Sequence, residues 1–187
     1  MTRTLSGGLN VNSIFIQSAV FAESFLGKTS IYHPLALDEH TTTNLSSSLL
    51  ISNCTCNAAS ASLSIQPKST RHISIDTIQG CNVLSIDASS DSGQLSIHVK
   101  NSAFTSAMQF ANLRLGCSTC NIVLENVEVA YQIGFRNLAL KNTSMILMEY
   151  VVMDVPGLST GVVFTGSSFS NSSKVVFREV RIVTHSM

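Results

Sequence analysis

The stretch "NIVLENVEV", residues 121–129, is echoed by "QIGFRNLAL", residues 132–140, which begins eleven residues later. Both carry one frame: apolar, any, apolar, any, Asn, apolar, any, apolar. Alternation of this kind describes a short strand with one face buried. The Asn then breaks the alternation, because an apolar residue follows it at once and the inward phase restarts. Asn enters the left-handed backbone region more cheaply than most L-residues and hydrogen-bonds locally. The frame therefore reads as two short strands joined at a corner.

With the Asn as position zero, the frame extends along the chain to Ser18, His33, Asn53, Pro67, Thr77, Ala88, Asn101, Asn112, Asn126, Asn137, Tyr150, Gly166 and Glu179. Apolar residues occupy both minus four and minus two in every window except that of His33, where Thr29 intervenes. Alternate zeros lie 24 (53 to 77), 21 (67 to 88), 24 (77 to 101), 24 (88 to 112), 25 (101 to 126), 25 (112 to 137) and 24 (126 to 150) residues apart. A fixed period in this range marks a solenoid. The expected fold is all-β: a right-handed parallel β-helix, or β-solenoid, with about 24 residues per rung and Asn corners. A β-sandwich would need strands without this echo and hairpin turns of the Asn-Gly or Asp-Gly kind. Neither dipeptide occurs.

Stacked rungs place Asn101 beneath Asn126 and Asn112 beneath Asn137, so their amides are expected to form two hydrogen-bonded ladders. The residue before one corner points outward, in a column reading Asp76, Lys100, Glu125, Glu149, Arg178. Its mixed signs read as a solvated face. Residues 1–48 keep the frame poorly and are expected to form an irregular N-terminal cap or an imperfect rung, with the solenoid proper over 49–187. "KVVFREVRIVTHSM" is a complete apolar unit close to the last residue, which implies a fragment of a longer solenoid or end-to-end stacking on further rungs.

Composition agrees. Of 187 residues, 44% are hydrophobic and only 12% charged, while Ser and Thr number 45, so a core is encoded under a surface of hydroxyls and amides. A net charge of zero without any Lys/Arg run excludes the electrostatic footprint of a nucleic-acid or anionic-membrane binder. No apolar run is long enough to span a bilayer as a helix; the best, "SMILMEYVVM", contains Glu149. A cleaved leader around "SIFIQSAVFA" would have its apolar centre interrupted by Gln17, Ser18 and Glu23.

Chemistry-bearing residues are sparse. Polysaccharide lyases and hydrolases on β-helices need converging carboxylates, usually beside a cation. Here only Asp87 and Asp91 are close in sequence, around a turn-like "ASS". There is no Trp to serve as a sugar platform, and the five His residues lack metal-ligand spacing. No catalytic residue, metal site or cofactor is assigned. Cys54 and Cys56 follow Asn53 at inward sites and read as buried small apolar residues. Cys117 and Cys120, in a loop between rungs, are placed for a disulfide with each other. The sequons are Asn44, Asn53, Asn142 and Asn171. Asn142 and Asn171 lie in loops and are the candidate N-glycosylation acceptors, whereas corner Asn53 is expected to be shielded.

The phrases "GVVFTGSSFSNSSKVVFREVRI" and "SLLISNCTC", the low charge and the Cys pairs between units resemble the repeats of trypanosomatid dispersed gene family surface proteins and, more broadly, pectin-lyase-like β-helices. The likeness covers roughly residues 49–183. It implies an extracellular or cell-surface glycoprotein with an adhesive role toward another macromolecule or a glycan, and it carries over no catalytic motif. The expectation is a non-enzymatic, macromolecule-binding solenoid segment. A pectin-lyase-like polysaccharide lyase or hydrolase, or a fragment without independent function, is the alternative.

Overall fold

Burial along Asn121–Val129 answers the opening repeat. Ile122 and Leu124 are buried, Glu125 and Asn126 are exposed in succession, and Val127 and Val129 are buried again. The slip falls on Asn126, whose φ is +51°, so the chain turns there without losing its inward side. The same left-handed backbone occurs at Asn53, Thr77, Asn101, Asn112, Asn137, Tyr150, Gly166 and Glu179.

The structure, a computed structural model, describes residues 10–11, 18–22, 25–26, 29–33, 48–56, 62–67, 71–88, 94–156 and 161–185. Among these there is no helix, and every strand pairing is parallel. The strands stack as a β-solenoid of about five turns.

One side of the coil is built from Ser18–Ala22, Ser48–Cys56, His72–Gln79, the first part of Ser96–Ala111, Asn121–Val129, Met145–Pro156 and Lys174–Arg178. Register partners there are Leu49, Ile73, Ile97, Ile122, Ile146 and Val175, steps of 24, 24, 25, 24 and 29 residues. Beyond the corner the chain forms another stack through Thr29–His33, Ser62–Pro67, Cys81–Asp87, the end of Ser96–Ala111, Gln132–Arg136 and Val162–Thr165. A three-stranded sheet of Arg114–Leu115, Ala139–Leu140 and Ser168–Phe169 lies past the second corner.

Inward residues form columns along the axis. Ile51, Ile75, Val99, Leu124 and Met148 are all fully buried register partners. Each such side chain contributes about 1.5–3 kcal/mol on burial. In the second stack Phe110, Phe135 and Phe164 lie in register and stack nearly flat, with centroids 5.2 and 4.8 Å apart. The columns end uncovered. Phe164, Phe169, Phe177 and Ile182 pair with buried Phe135, Leu140, Met148 and Met153, yet each is at least 36% exposed.

Three positions of the frame differ from expectation. Ser18 aligns with Ser48, five residues before Asn53, so the zero assigned to Ser18 is out of register. Pro67 and Ala88 are buried, and Ala88 is not left-handed. The ring of Pro67 fixes its own φ negative, and among the described residues of this station the left-handed corner first occurs at Asn112.

Candidate functional site

Both corner ladders exist as hydrogen bonds. Asn126 Nδ2 donates to Asn101 Oδ1 at 2.9 Å, and Asn137 Nδ2 donates to Asn112 Oδ1 at 3.0 Å. Each ladder is rooted in a carboxylate that composition alone did not assign. Asn101 Nδ2 donates to Asp76 Oδ1 at 3.1 Å, and Asn112 Nδ2 to Asp87 Oδ1 at 2.8 Å. An Asp accepts without needing to donate, so it suits the root of a chain of one-way amide bonds. At the far end of the second ladder stands Gly166, at φ +61°. A Cβ there would lie 2.7 Å from Asn137 Oδ1.

The outward column before the first corner is in register from Ser52 through Asp76, Lys100, Glu125 and Glu149 to Arg178. Lys100 pairs with Asp76 at 3.3 Å and Arg178 with Glu149 at 3.5 Å. Across the like-charged step from Glu125 to Glu149, Glu125 Oε2 has His98 Nε2 as a hydrogen-bond partner at 3.2 Å and Glu149 has Arg178. Burial opposes ionisation of Asp76, but hydrogen bonds from Asn101, Thr77 and Lys100, with the Lys100 charge, outweigh it and hold the carboxyl below the ordinary Asp value. Burial, and then the neighbouring His98, hold His72 below the ordinary His value.

Two residues before that column, the outward positions read Leu50, Ser74, His98, Val123, Leu147 and Val176, again in register. All are partly exposed. The line is therefore mixed at one end and apolar at the other, where Val123, Leu147 and Val176 run beside Glu125, Glu149 and Arg178. Sequence reasoning followed the charged column and missed this one, although the apolar residues at minus three of the frame carry the signal.

The cysteines depart from expectation in one respect. Cys117 and Cys120 form a disulfide within one turn. Cys56 is buried but does not act as a free apolar residue, because it is bonded to Cys81 across adjacent rungs, with Cα atoms 4.9 Å apart. Gly80, at φ +71°, precedes Cys81 and leaves room beside the Cys56 carbonyl, 3.3 Å from where its Cβ would stand. The side chain of Cys54 lies outside the described residues.

Asn142 and Asn171 are exposed and occupy the same turn position on successive rungs, both at φ +57°. Asn142 Nδ2 donates to the Gly116 carbonyl. Asn53 is exposed rather than shielded, because the left-handed corner turns its side chain outward. Asn44 and Asp91 lie outside the described residues.

Among the described residues no three His, Cys, Asp or Glu side chains are arranged to hold a metal ion. No described helix is long and apolar enough to cross a membrane. These features define the chain as a parallel β-solenoid with amide-laddered corners and a mixed outward face. Comparison with protein-family models, with curated proteins and with solved structures gives no match.

Proposed function

We propose that this chain is a non-enzymatic segment of a cell-surface or secreted protein, and that it binds another macromolecule or glycan through the outward side of its longest parallel stack. The observation that carries this reading is the partly exposed column of Val123, Leu147 and Val176 beside the ionic column of Glu125, Glu149 and Arg178. An apolar strip rimmed by charge on a regular surface is the composition of a protein-binding face. Asp76, Asp87, Glu125 and Glu149 are engaged in ladders and ion pairs, which favours binding over polysaccharide cleavage.

Two disulfides support an oxidising compartment. N-linked sugars at Asn142 and Asn171 would sit together at equivalent turns of successive rungs. Right-handed winding, a rung of about 24 residues and kinship with pectin-lyase-like surface repeats belong to the same reading. So does end-to-end stacking of further rungs on the apolar end at Phe177 and Ile182.

Binding of the labelled chain to intact cells, matrix proteins and arrayed glycans tests the assignment, with Leu147→Glu as the control. Leu147 points outward, so this variant keeps its circular dichroism spectrum while losing binding. Equal binding by the variant, or release of unsaturated sugars from acidic polysaccharide by the native chain, overturns the reading.

A further inference from the structure

The turn between Arg114–Leu115 and Asn121–Val129 is closed twice, by a hydrogen bond from Cys120 N to Cys117 O at 3.1 Å and by the Cys117–Cys120 disulfide. The equivalent turns on the next two rungs close without a covalent bond. Ser144 N and Oγ both donate to Lys141 O, at 3.2 and 2.7 Å, and Ser173 N donates to Ser170 O at 3.3 Å. The disulfide is therefore not required to shape this turn.

Its two sulfurs differ. Cys120 is fully buried, in the station that Ser144 fills one rung later, whereas Cys117 is only partly buried. Thr119 Oγ1 lies 3.4 Å from Cys117 Sγ. Arg71, His72, Gln94 and Ser96 join Cys117 and Thr119 around one open surface depression. By contrast the Cys56–Cys81 bond has both residues in the core, at 8% and 0% exposure. Of the two disulfides among the described residues, only Cys117–Cys120 includes a partly exposed cysteine.

We propose that Cys117 is the reactive end of a thiol-exchange site that takes small anionic thiols of the glutathione type. The incoming thiolate sulfur attacks Cys117 Sγ, and the bond to Cys120 breaks with its electron pair going to Cys120 Sγ. Cys120 gains the proton that the incoming thiol has lost. One disulfide is consumed and one is formed, so no outside oxidant is needed, and attack by Cys120 on the adduct reverses the step. Arg71 supplies the charge that draws a carboxylate-bearing thiol to the depression. His72 lines the same depression, where its imidazole relays the thiol proton on its way to Cys120. The exchange is stoichiometric capture rather than oxidoreductase turnover, and it does not depend on the binding reading above.

The test exposes the folded full chain to reduced glutathione, quenches with acid, alkylates and maps the peptides by mass spectrometry. Glutathione is expected on Cys117 with the alkyl group on Cys120, while Cys56–Cys81 stays intact. Arg71→Ala should slow the reaction severalfold with glutathione but not with cysteamine, which carries no carboxylate. Cys120→Ser, which places at this station the residue its neighbour already uses, should hold the adduct formed from oxidised glutathione because the resolving thiol is gone. An adduct on Cys120, equal reaction of both disulfides, an equal effect of Arg71→Ala on both thiols, or no adduct where a peptide of the same turn reacts, overturns the proposal.

Discussion

Asn137 Oδ1 stands 2.7 Å from the point where a Cβ on Gly166 would lie, so the second amide ladder ends against a glycine. The residue is fixed by two independent demands, a left-handed φ of +61° and the proximity of that oxygen. Gly166→Ala should therefore cost about 1–2 kcal/mol for the backbone alone, and more for the contact. Removing the oxygen with Asn137→Gly should recover only the contact part. A double-mutant cycle on urea midpoints should show a coupling of about 0.5–3 kcal/mol. Strict additivity would mean that the two residues do not meet.

The first ladder separates backbone from hydrogen bond in the same way. Asn126→Gly keeps the left-handed corner and loses only the bond to Asn101, an expected cost of about 0.5–1.5 kcal/mol. Asn126→Ala loses the bond and also strains the corner, adding about 1–2 kcal/mol. Chemical denaturation ranks native, Gly variant and Ala variant in that order. An Ala variant as stable as the Gly variant contradicts the left-handed corner.

Of the two disulfides, the inter-rung bond should matter more for stability. Cys56 and Cys81 are 25 residues apart and Cys117 and Cys120 only 3. The chain-entropy account gives about 3.5 kcal/mol for the longer loop and about 1.6 kcal/mol for the shorter. Thermal unfolding of the paired Cys→Ser variants compares them directly, and a larger loss for the Cys117/Cys120 pair would contradict this ordering.

Stability should fall in acid through Asp76. Its folded pKa is lowered, so its contribution is complete above the ordinary Asp pKa of about 3.9 and is lost as pH drops through the lower folded value. His72, also lowered, acts in the same direction at higher pH: its contribution is complete above about 6.5 and is lost as pH falls from there through its lower folded value. Asp76→Asn retains an oxygen to accept from Asn101 but cannot titrate. Its melting temperature should change less than that of the native chain between pH 5 and pH 3, taken as about one unit either side of the ordinary Asp pKa. Parallel curves for the two proteins contradict the assignment.

The corners were legible in the sequence because they impose a chemical demand. Asn53, Asn101, Asn112, Asn126 and Asn137 were all recognisable, and the phase slip around each marked the turn, so Thr77, Tyr150 and Glu179 could be placed by pattern even though they are poor left-handed residues. The Cys56–Cys81 bond was hidden by a one-residue irregularity. Thr55 pairs with Gln79, so counting from the corners sets Cys56 opposite Gly80, one residue short of the Cys81 it is bonded to. The Asp roots were hidden for another reason. Asp76 reads as an outward charge in the ionic column and Asp87 as a turn residue, and neither reading points to the Asn101 and Asn112 amides from which they accept. The apolar outward column emerged only once register aligned Val123, Leu147 and Val176.

The most direct measurement of the account is a nuclear Overhauser contact between the side-chain amide of Asn126 and the side chain of Asn101, read alongside those between Ile97, Ile122 and Ile146. The parallel stack predicts all of them, since these residues are register partners one rung apart. Contacts instead between residues paired in antiparallel order, with the Asn101 and Asn126 side chains apart, would contradict the solenoid and every face assigned to it.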